Sequence, residues 1–561
     1  MSIYKHGIST SRKATAMTSP VTSAANVTVV IGTAPVNMCE NPYKAANVPM
    51  VAYTKADAIK KMGWSENFKG YTICQSIYAA FNVFAVAPLV MINVLDPSNE
   101  KHITAVIATA YDVANKKATI NVEGILLDTI EITTTEGTPL SKDADYVSSF
   151  ADDGTVIIGF TDEGAVKAGV SVKVAYTKLK PEGVTFEDII GGYNVSARTK
   201  KGLEVISDIY PKLGIVPGTI IAPGFSQYPA VNTAMTAKSE LIYSMFSCKV
   251  ISDIDCSSSG ADSIDKVKEW KNNNAYSDRR TFAVWPKVKA DGYEYYFSAQ
   301  LAALLQRLAA DNNGVPSDSC DNKGLKISGL VIEDGSEVSF DMDEANDYCN
   351  ANGVITAVNV DGFLGWGNNT SVYPHSTDVI DRWVTSVMMF DYIENDLKRN
   401  FFNKISNKAD YRQIEDVVLS ENLVLNGLRG RGDIAGGEIS FSREDNPTSQ
   451  ILAGRIVFKV RIALYPPMED IESTFEFDPT LLEAAMEGGS RNNAYELPDK
   501  LNNFNVYDGK YKLTGVASEI TLPSLDPLTD TLNVAGMAGE IESEVIGSYG
   551  SMKLEIAFVN M

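Results

Sequence analysis

Histidine is scarce in this chain of 561 residues: only His6, His102 and His375 occur, far apart in sequence. No H-E-x-x-H pair is present, which excludes a zinc hydrolase of that design. The 6 cysteines (Cys39, Cys74, Cys248, Cys256, Cys320 and Cys349) form no C-x-x-C pair and are too sparse for a disulfide framework, so reduced, mostly buried thiols are expected. No G-x-G-x-x-G and no phosphate loop is found. Ser226 sits in Gly224-Phe225-Ser226-Gln227-Tyr228, where Tyr228 replaces the last glycine of a nucleophile elbow. Basic residues are in deficit, 49 Lys+Arg against 71 Asp+Glu, and the net charge of −22 makes a poor reader of duplex DNA. The longest apolar run, near Val83 to Val94, is interrupted by Pro88 and Asn93 and is too short to span a bilayer. Met1 to Pro20 is polar, with Lys5, Arg12 and Lys13, and has no signal-peptide core. A soluble protein made in a cytoplasm is the expectation.

What is present suits several ordinary cores. Hydrophobic residues make up 45% and charged residues 21%, which excludes disorder for most of the chain. The length corresponds to about three or four domains. Val27 to Ile31 reads as a buried strand stopped by Gly32-Thr33-Ala34-Pro35, Tyr71 to Phe84 as a helix, and Leu89 to Leu95 as a second buried strand. From Lys101 to Lys180 the sequence turns rich in Thr, Val, Ile and Asp. Thr155 to Phe160 follows the hairpin signal Asp152-Asp153-Gly154, and Val170, Val172, Val174 and Tyr176 alternate with Ser171, Lys173 and Ala175. This predicts an inserted all-β domain. Helix and strand patterns then alternate: Leu203 to Leu213 helix, Thr219 to Ala222 strand, Pro229 to Phe246 helix, Lys249 to Asp253 and Phe282 to Val288 strands, and Ser298 to Asp311 helix. Such alternation argues for an α/β layer structure. Tyr373 to Asn395 reads as a helix. Arg455 to Leu464 reads as a long strand with Arg455, Lys459 and Arg461 on a basic face, and Phe475-Glu476-Phe477 as a short strand. Gly488 to Asn493 is a linker, and a β-rich segment follows it.

Candidate chemistry is thin. Asp253 and Asp255 end a strand and could bind a metal or serve a carbohydrate-active enzyme, but without nearby histidines such a pair is more often a solvated strand end or a helix cap. Arg431-Gly432-Asp433 would suit a surface adhesin, yet three residues match easily by chance. No catalytic constellation stands out, which shifts weight toward a structural or assembly protein.

Several stretches are similar to contractile tail sheath proteins of phages and related injection machines. They are His6-Gly7-Ile8 with Val30 to Pro35, Asp188-Ile189-Ile190-Gly191-Gly192, Ile221 to Ser226, Asn352-Gly353-Val354, Gly365-Trp366-Gly367-Asn368-Asn369-Thr370, and Asp445-Asn446-Pro447 ahead of the Arg455 strand. Asn369 stands where that family usually has arginine. The match runs in order over about Met1 to Glu487. Beyond it, Leu497 to Leu501, Gly515 to Pro523 and Gly536 to Glu540 resemble the N-terminal half of a contractile tail tube protein.

The resemblance implies an α/β multidomain sheath core with an inserted all-β domain and a C-terminal β-rich tube-like segment. The divisions are an exchanged arm at 1–20, core at 21–97, the inserted domain at 98–182, α/β core at 183–470, a sheath strand at 471–487, a linker at 488–496 and the tube-like segment at 497–561. It also implies no enzyme activity, no cofactor and no metal. Stacked six-fold rings are expected, with neighbouring sheath subunits, the tail tube protein and terminator or baseplate proteins as partners. No membrane partner is expected, and DNA would only pass through. The virion tail, assembled in the host cytoplasm, is the expected location. Arm strands carrying Ile3, Tyr4, Ile8, Phe475 and Phe477 would join sheets of adjacent subunits by β-augmentation. Arg429, Arg431, Arg455, Lys459 and Arg461 would make charge contacts to tube or subunit. Glu540, Glu542 and Glu544 lie two apart on a strand and would form an acidic strip facing the tube lumen. From Arg491 onward the chain holds five basic and ten acidic residues, a net of −5. Because a linker of about ten residues reaches only about 35 Å, a sheath–tube fusion fits a special ring where sheath and tube do not part. The head-proximal end fits best and the baseplate end second. An ordinary sheath subunit with a long C-terminal arm is the alternative.

Overall fold

The computed structural model describes residues 25–486 apart from 152–153, 163–165 and 167–169, together with Val21–Thr22 and five short strands beyond residue 504. The chain divides into two compact units, Met1–Met468 and Glu469–Met561.

The first unit is organised by an eight-stranded sheet. Its strands are β1 (Thr28–Gly32), β2 (Pro49–Ala52), β3 (Leu89–Asn93), β4 (Thr219–Ile221), β5 (Lys249–Asp253), β6 (Thr281–Val284), β7 (Val354–Asn359) and β8 (Phe363–Trp366). The spatial order is β8-β7-β6-β5-β4-β1-β3-β2, with six parallel strands in the middle and an antiparallel strand at each edge. The central strands are buried on both faces, so they read as unbroken Val/Ile runs without alternation. Helices α1 (Pro229–Glu240) and α2 (Phe297–Asp311) pack against this sheet, and α2 buries eleven of its residues, among them Leu301, Leu304 and Leu305.

Between β3 and β4 the chain forms two three-stranded antiparallel sheets. One has the order Ile103–Asp112, Ser171–Leu179, Glu131–Thr134; the other Lys117–Ile120, Val156–Phe160, Tyr146–Phe150. Their inward residues, including Ile120, Ile132, Ile158, Val172 and Val174, form an apolar cluster separate from that of the large sheet. Helices α3 (Val384–Phe401) and α4 (Tyr411–Arg431) follow β8, and then the two-stranded antiparallel sheet of β9 (Gly436–Ser440) and β10 (Lys459–Ala463). Met389 and Ile393 of α3, Leu425 and Leu428 of α4, Val315 and Ile434 make a further cluster, against which Ile462 packs.

Five sequence expectations are corrected. The helix from Pro229 stops at Glu240 rather than Phe246, because Tyr243 and Ser244 take φ of 51° and 55° in a closed turn. Phe282 to Val288 is two strands, interrupted at Trp285-Pro286, since proline donates nothing to a ladder. The helix expected over Tyr373 to Asn395 begins only at Val379 and is broken at Trp383 before α3. Arg455 and its neighbours to Phe458 precede β10, because a turn at Gly454 (φ 78°) and the side chain of Asn446 hold that segment. No strand forms at Phe475-Glu476-Phe477 among the described residues, where both aromatics stand almost fully exposed; alternation alone cannot make a strand without a neighbour to bond.

The second unit contributes a short helix, Pro479–Met486, and the strand pairs Asn505–Asp508 with Tyr511–Thr514 and Ile541–Ile546 with Thr531–Leu532 and Lys553–Phe558.

Candidate functional site

In doubly wound sheets a ligand crevice opens beyond the carboxyl ends of the strands where the winding reverses. Here the reversal lies between β1 and β4. The crevice is filled. Thr72 Oγ1 accepts from Thr33 N–H (3.3 Å), Thr33 Oγ1 accepts from Thr72 N–H (3.1 Å), and the Thr33 hydroxyl donates to Gly70 O (2.8 Å). A Cβ added at Gly32 would lie 2.2 Å from Thr72 Oγ1, so glycine is what lets the plug seat.

Asp253, one of the two carboxylates singled out, is buried at the end of β5 and caps α2. Its Oδ1 accepts from Ser298 N–H (2.9 Å), and Oδ2 accepts from the hydroxyls of Ser298 (2.5 Å) and Ser226 (2.9 Å). Burial pushes its carboxyl up to about 6, and these donors act in the opposite direction. Asp255 has a separate task, accepting from Ser257 N–H at 2.9 Å in the following turn. Each carboxylate thus serves local structure, and no group of three or more His, Cys, Asp or Glu able to hold a metal occurs among the described residues. Arg431-Gly432-Asp433 is the end of α4. Gly432 supplies the left-handed cap (φ 82°), Arg431 pairs with Asp433 at 2.9 Å, and the Asp433 carboxylate accepts from Asn312 Nδ2 (2.9 Å) and Ser317 Oγ (2.8 Å). With its carboxylate buried in these contacts, the tripeptide is not a presented adhesive loop, and that ground for an adhesin falls.

The unsatisfied surface lies at β9 and β10. Ile439 of β9 has both backbone groups taken by one side chain of α4: Asn422 Oδ1 accepts from its N–H (3.0 Å) and Asn422 Nδ2 donates to its C=O (2.9 Å). In an antiparallel pair, a residue bonded outward faces a partner that also points outward. Val460 stands opposite Ile439, so Val460 and, two residues on, Ile462 direct their backbone groups to the outer edge of β10. No strand covers that edge among the described residues. The outer edge of β9 is therefore clipped by an asparagine, and the edge of β10 is open. A second asparagine, Asn446, fixes the approach to β10 by accepting from Val457 N–H (2.7 Å) and donating to Val457 O (2.8 Å). Neither amide was legible as functional, although Asn446 lies within the quoted Asp445-Asn446-Pro447.

Of the basic residues expected to make contacts, Lys459 and Arg461 share one exposed face of β10, with Glu438 opposite Arg461. Arg455 is exposed before the strand, and Arg429 and Arg431 are exposed in the last turn of α4. Leu419 and Leu423 of α4 and Met468 are exposed as well. Ile3, Tyr4, Ile8 and Glu540 lie outside the described residues. Glu542 and Glu544 belong to the strand Ile541–Ile546, opposite Ala557 and Glu555. No helix among the described residues is long and apolar enough to cross a membrane.

The tail sheath protein of Burkholderia phage BcepMu is 23% identical over 490 residues, covering 85% of this chain and 97% of that protein. The major tail sheath protein of Serratia phage KSP20 is 24% identical over 330 residues, covering 56% of this chain and 77% of its own length. A chain in the cryo-EM structure of the anti-feeding prophage baseplate, symmetrised six-fold, shares the fold with a TM-score of 0.51 at 14% identity, covering 85% of this chain and 99% of its own. Residues 498–561 match the family described as phage tail tube protein FII. Over most of its length the chain is thus similar to tail sheath proteins, and its C-terminal end is similar to tail tube proteins.

Proposed function

We propose that this chain is a structural subunit of a contractile tail, in which sheath and tube are joined in one polypeptide to form a six-fold ring that couples sheath contraction to the tube. The observation that carries the reading is the presence, in a single chain, of a sheath-like stretch covering 85% of its length and a tube-like match at residues 498–561. In this reading 98–182 is an inserted β domain, and 1–20 and 471–487 are arms lent to adjacent copies. The open edge of β10 is the acceptor, since an added strand there would satisfy the backbone groups of Val460 and Ile462 and give the marginal two-stranded sheet a third member. Phe475 and Phe477, 95% and 81% exposed, would then be buried against a neighbour. Lys459 and Arg461 would meet acidic surface, and Glu540, Glu542 and Glu544 would line a lumen through which DNA passes. A link of about ten residues reaches only about 35 Å, which supports a ring where sheath and tube would move together, at the head-proximal end first and the baseplate end second.

A second reading, an ordinary sheath subunit with a long C-terminal arm, is favoured by the 97% coverage of the BcepMu sheath protein. Imaging of contracted particles with a label fused to this chain separates the two. Label confined to one end supports the ring, and label along the whole tail supports the ordinary sheath.

A further inference from the structure

At the amino ends of the parallel strands, opposite the plugged crevice, a hollow of about 150 Å³ lies between the sheet and α3. The sheet side presents Asn26, Gly218 and Lys249 at the starts of β1, β4 and β5; the helix side presents Asp391, Asn395 and Arg399. The two sides are bolted together. Asn395 Nδ2 donates to Ser247 O (2.6 Å), Ser247 N–H donates to Asn395 Oδ1 (3.0 Å), and Ser247 Oγ donates to Asp391 Oδ1 (2.9 Å).

The charges in this hollow do not cancel. Arg280 Nη1 reaches both oxygens of Asp391 at 2.6 and 2.8 Å, so that pair is neutral. Arg399 holds Asp396 at 2.9 Å, and that pair is neutral too. Lys249 remains. Its side chain is 2% exposed, and its ammonium donates to two uncharged oxygens, Asn26 Oδ1 and Gly218 O. Asp391, the carboxylate that acts on it through space, is already spent on Arg280. An ammonium has three donors, so one is left over. Burial lowers the group to about 8, which still leaves it cationic at pH 7. A buried cation with only neutral partners carries a desolvation cost that an anion alongside would offset. Arg399, with its side chain 51% exposed, stands at the mouth; one of its nitrogens holds Asp396, and its remaining N–H donors can reach whatever enters.

We propose that this hollow binds a small inorganic oxyanion between Lys249 and Arg399, an anion that clamps α3 to the amino edge of the sheet. Since α3 leads into α4 and the β9–β10 sheet, occupancy would stiffen the joint between the α/β body and the surface that meets other copies.

The test is equilibrium dialysis of the full chain against labelled inorganic phosphate at constant ionic strength, with thermal unfolding followed in parallel. Saturable binding of one phosphate per chain is expected, with a rise in Tm that follows the same curve. Lys249→Met, which keeps the side-chain length and removes the charge, should abolish saturable uptake. Arg399→Gln, at the exposed mouth, should weaken it about tenfold without altering the fold. Absence of saturable uptake by the folded wild-type chain overturns the proposal. So does uptake that is unchanged in Arg399→Gln, which decides the matter even if Lys249→Met fails to fold.

Discussion

In the eight-stranded sheet each of the six parallel strands has a neighbour on both sides, whereas β10 has only β9 beside it among the described residues. The same chemistry meets two ends. In the body, backbone groups are paired within the chain and even the functional crevice of the fold is packed with Thr72. In the β9–β10 sheet one edge is closed with the amide of Asn422 and the other has no strand beside it among the described residues. In the proposed reading, the contrast separates the part of the molecule that would persist through contraction from the part whose bonds would be made with other copies.

The largest effect should come from breaking the body. Arg280→Ala leaves Asp391 buried without its cation and should lower stability by about 3–5 kcal/mol, read from urea unfolding. A change below about 1 kcal/mol would mean that the body does not depend on its buried pair. Asn422→Ala removes the clip on β9 and leaves the two backbone groups of Ile439 unpaired, so a loss of about 1–3 kcal/mol is expected. If instead the variant assembles into irregular aggregates through a newly open edge, the clip guards specificity more than stability.

A pH experiment sharpens the same boundary. Glu421 of α4 is 1% exposed, and burial, with Asp396 adding to it, raises its carboxyl to about 7. A carboxyl raised on folding favours the protonated state. Its contribution is therefore neutral below the unfolded value near 4.3 and increasingly unfavourable as pH rises through about 7. Glu421→Gln should raise stability at pH 8 by about 1–2 kcal/mol and flatten the profile between pH 4 and 7. An unchanged profile in urea midpoints would show that the group is solvated in solution. The smallest effect on the isolated subunit belongs to the arm. Phe475→Asp with Phe477→Asp should shift monomer stability by less than about 0.5 kcal/mol, since both rings are exposed, yet prevent ring formation seen by electron microscopy.

The strands of the body could be read because burial on both faces forces long β-branched runs, as in Val27 to Ile31 and Lys249 to Asp253. Helix α2 was legible for the same reason, its apolar residues recurring over Ser298 to Asp311. Failures fall where a single side chain or turn decides. Nothing local marks the turn that ends α1 at Glu240, and alternation over Arg455 to Leu464 is genuine although Asn446 holds its first part out of the ladder. The open edge was the least visible feature, since it depends on which of two neighbouring residues points outward, and that parity is set by Asn422 seventeen residues away from Ile439. Asp253 and Asp255 looked like a pair only because sequence spacing hides that one caps a helix while the other closes a turn.

The clip at Asn422 has a geometric corollary. A subunit that can accept a strand on one flank only confers a sense of direction on any array built from it, as a zip fastener has one running end. Growth would begin from a template at one terminus and advance away from it, and the length of the finished structure would be fixed by whatever arrests that advance.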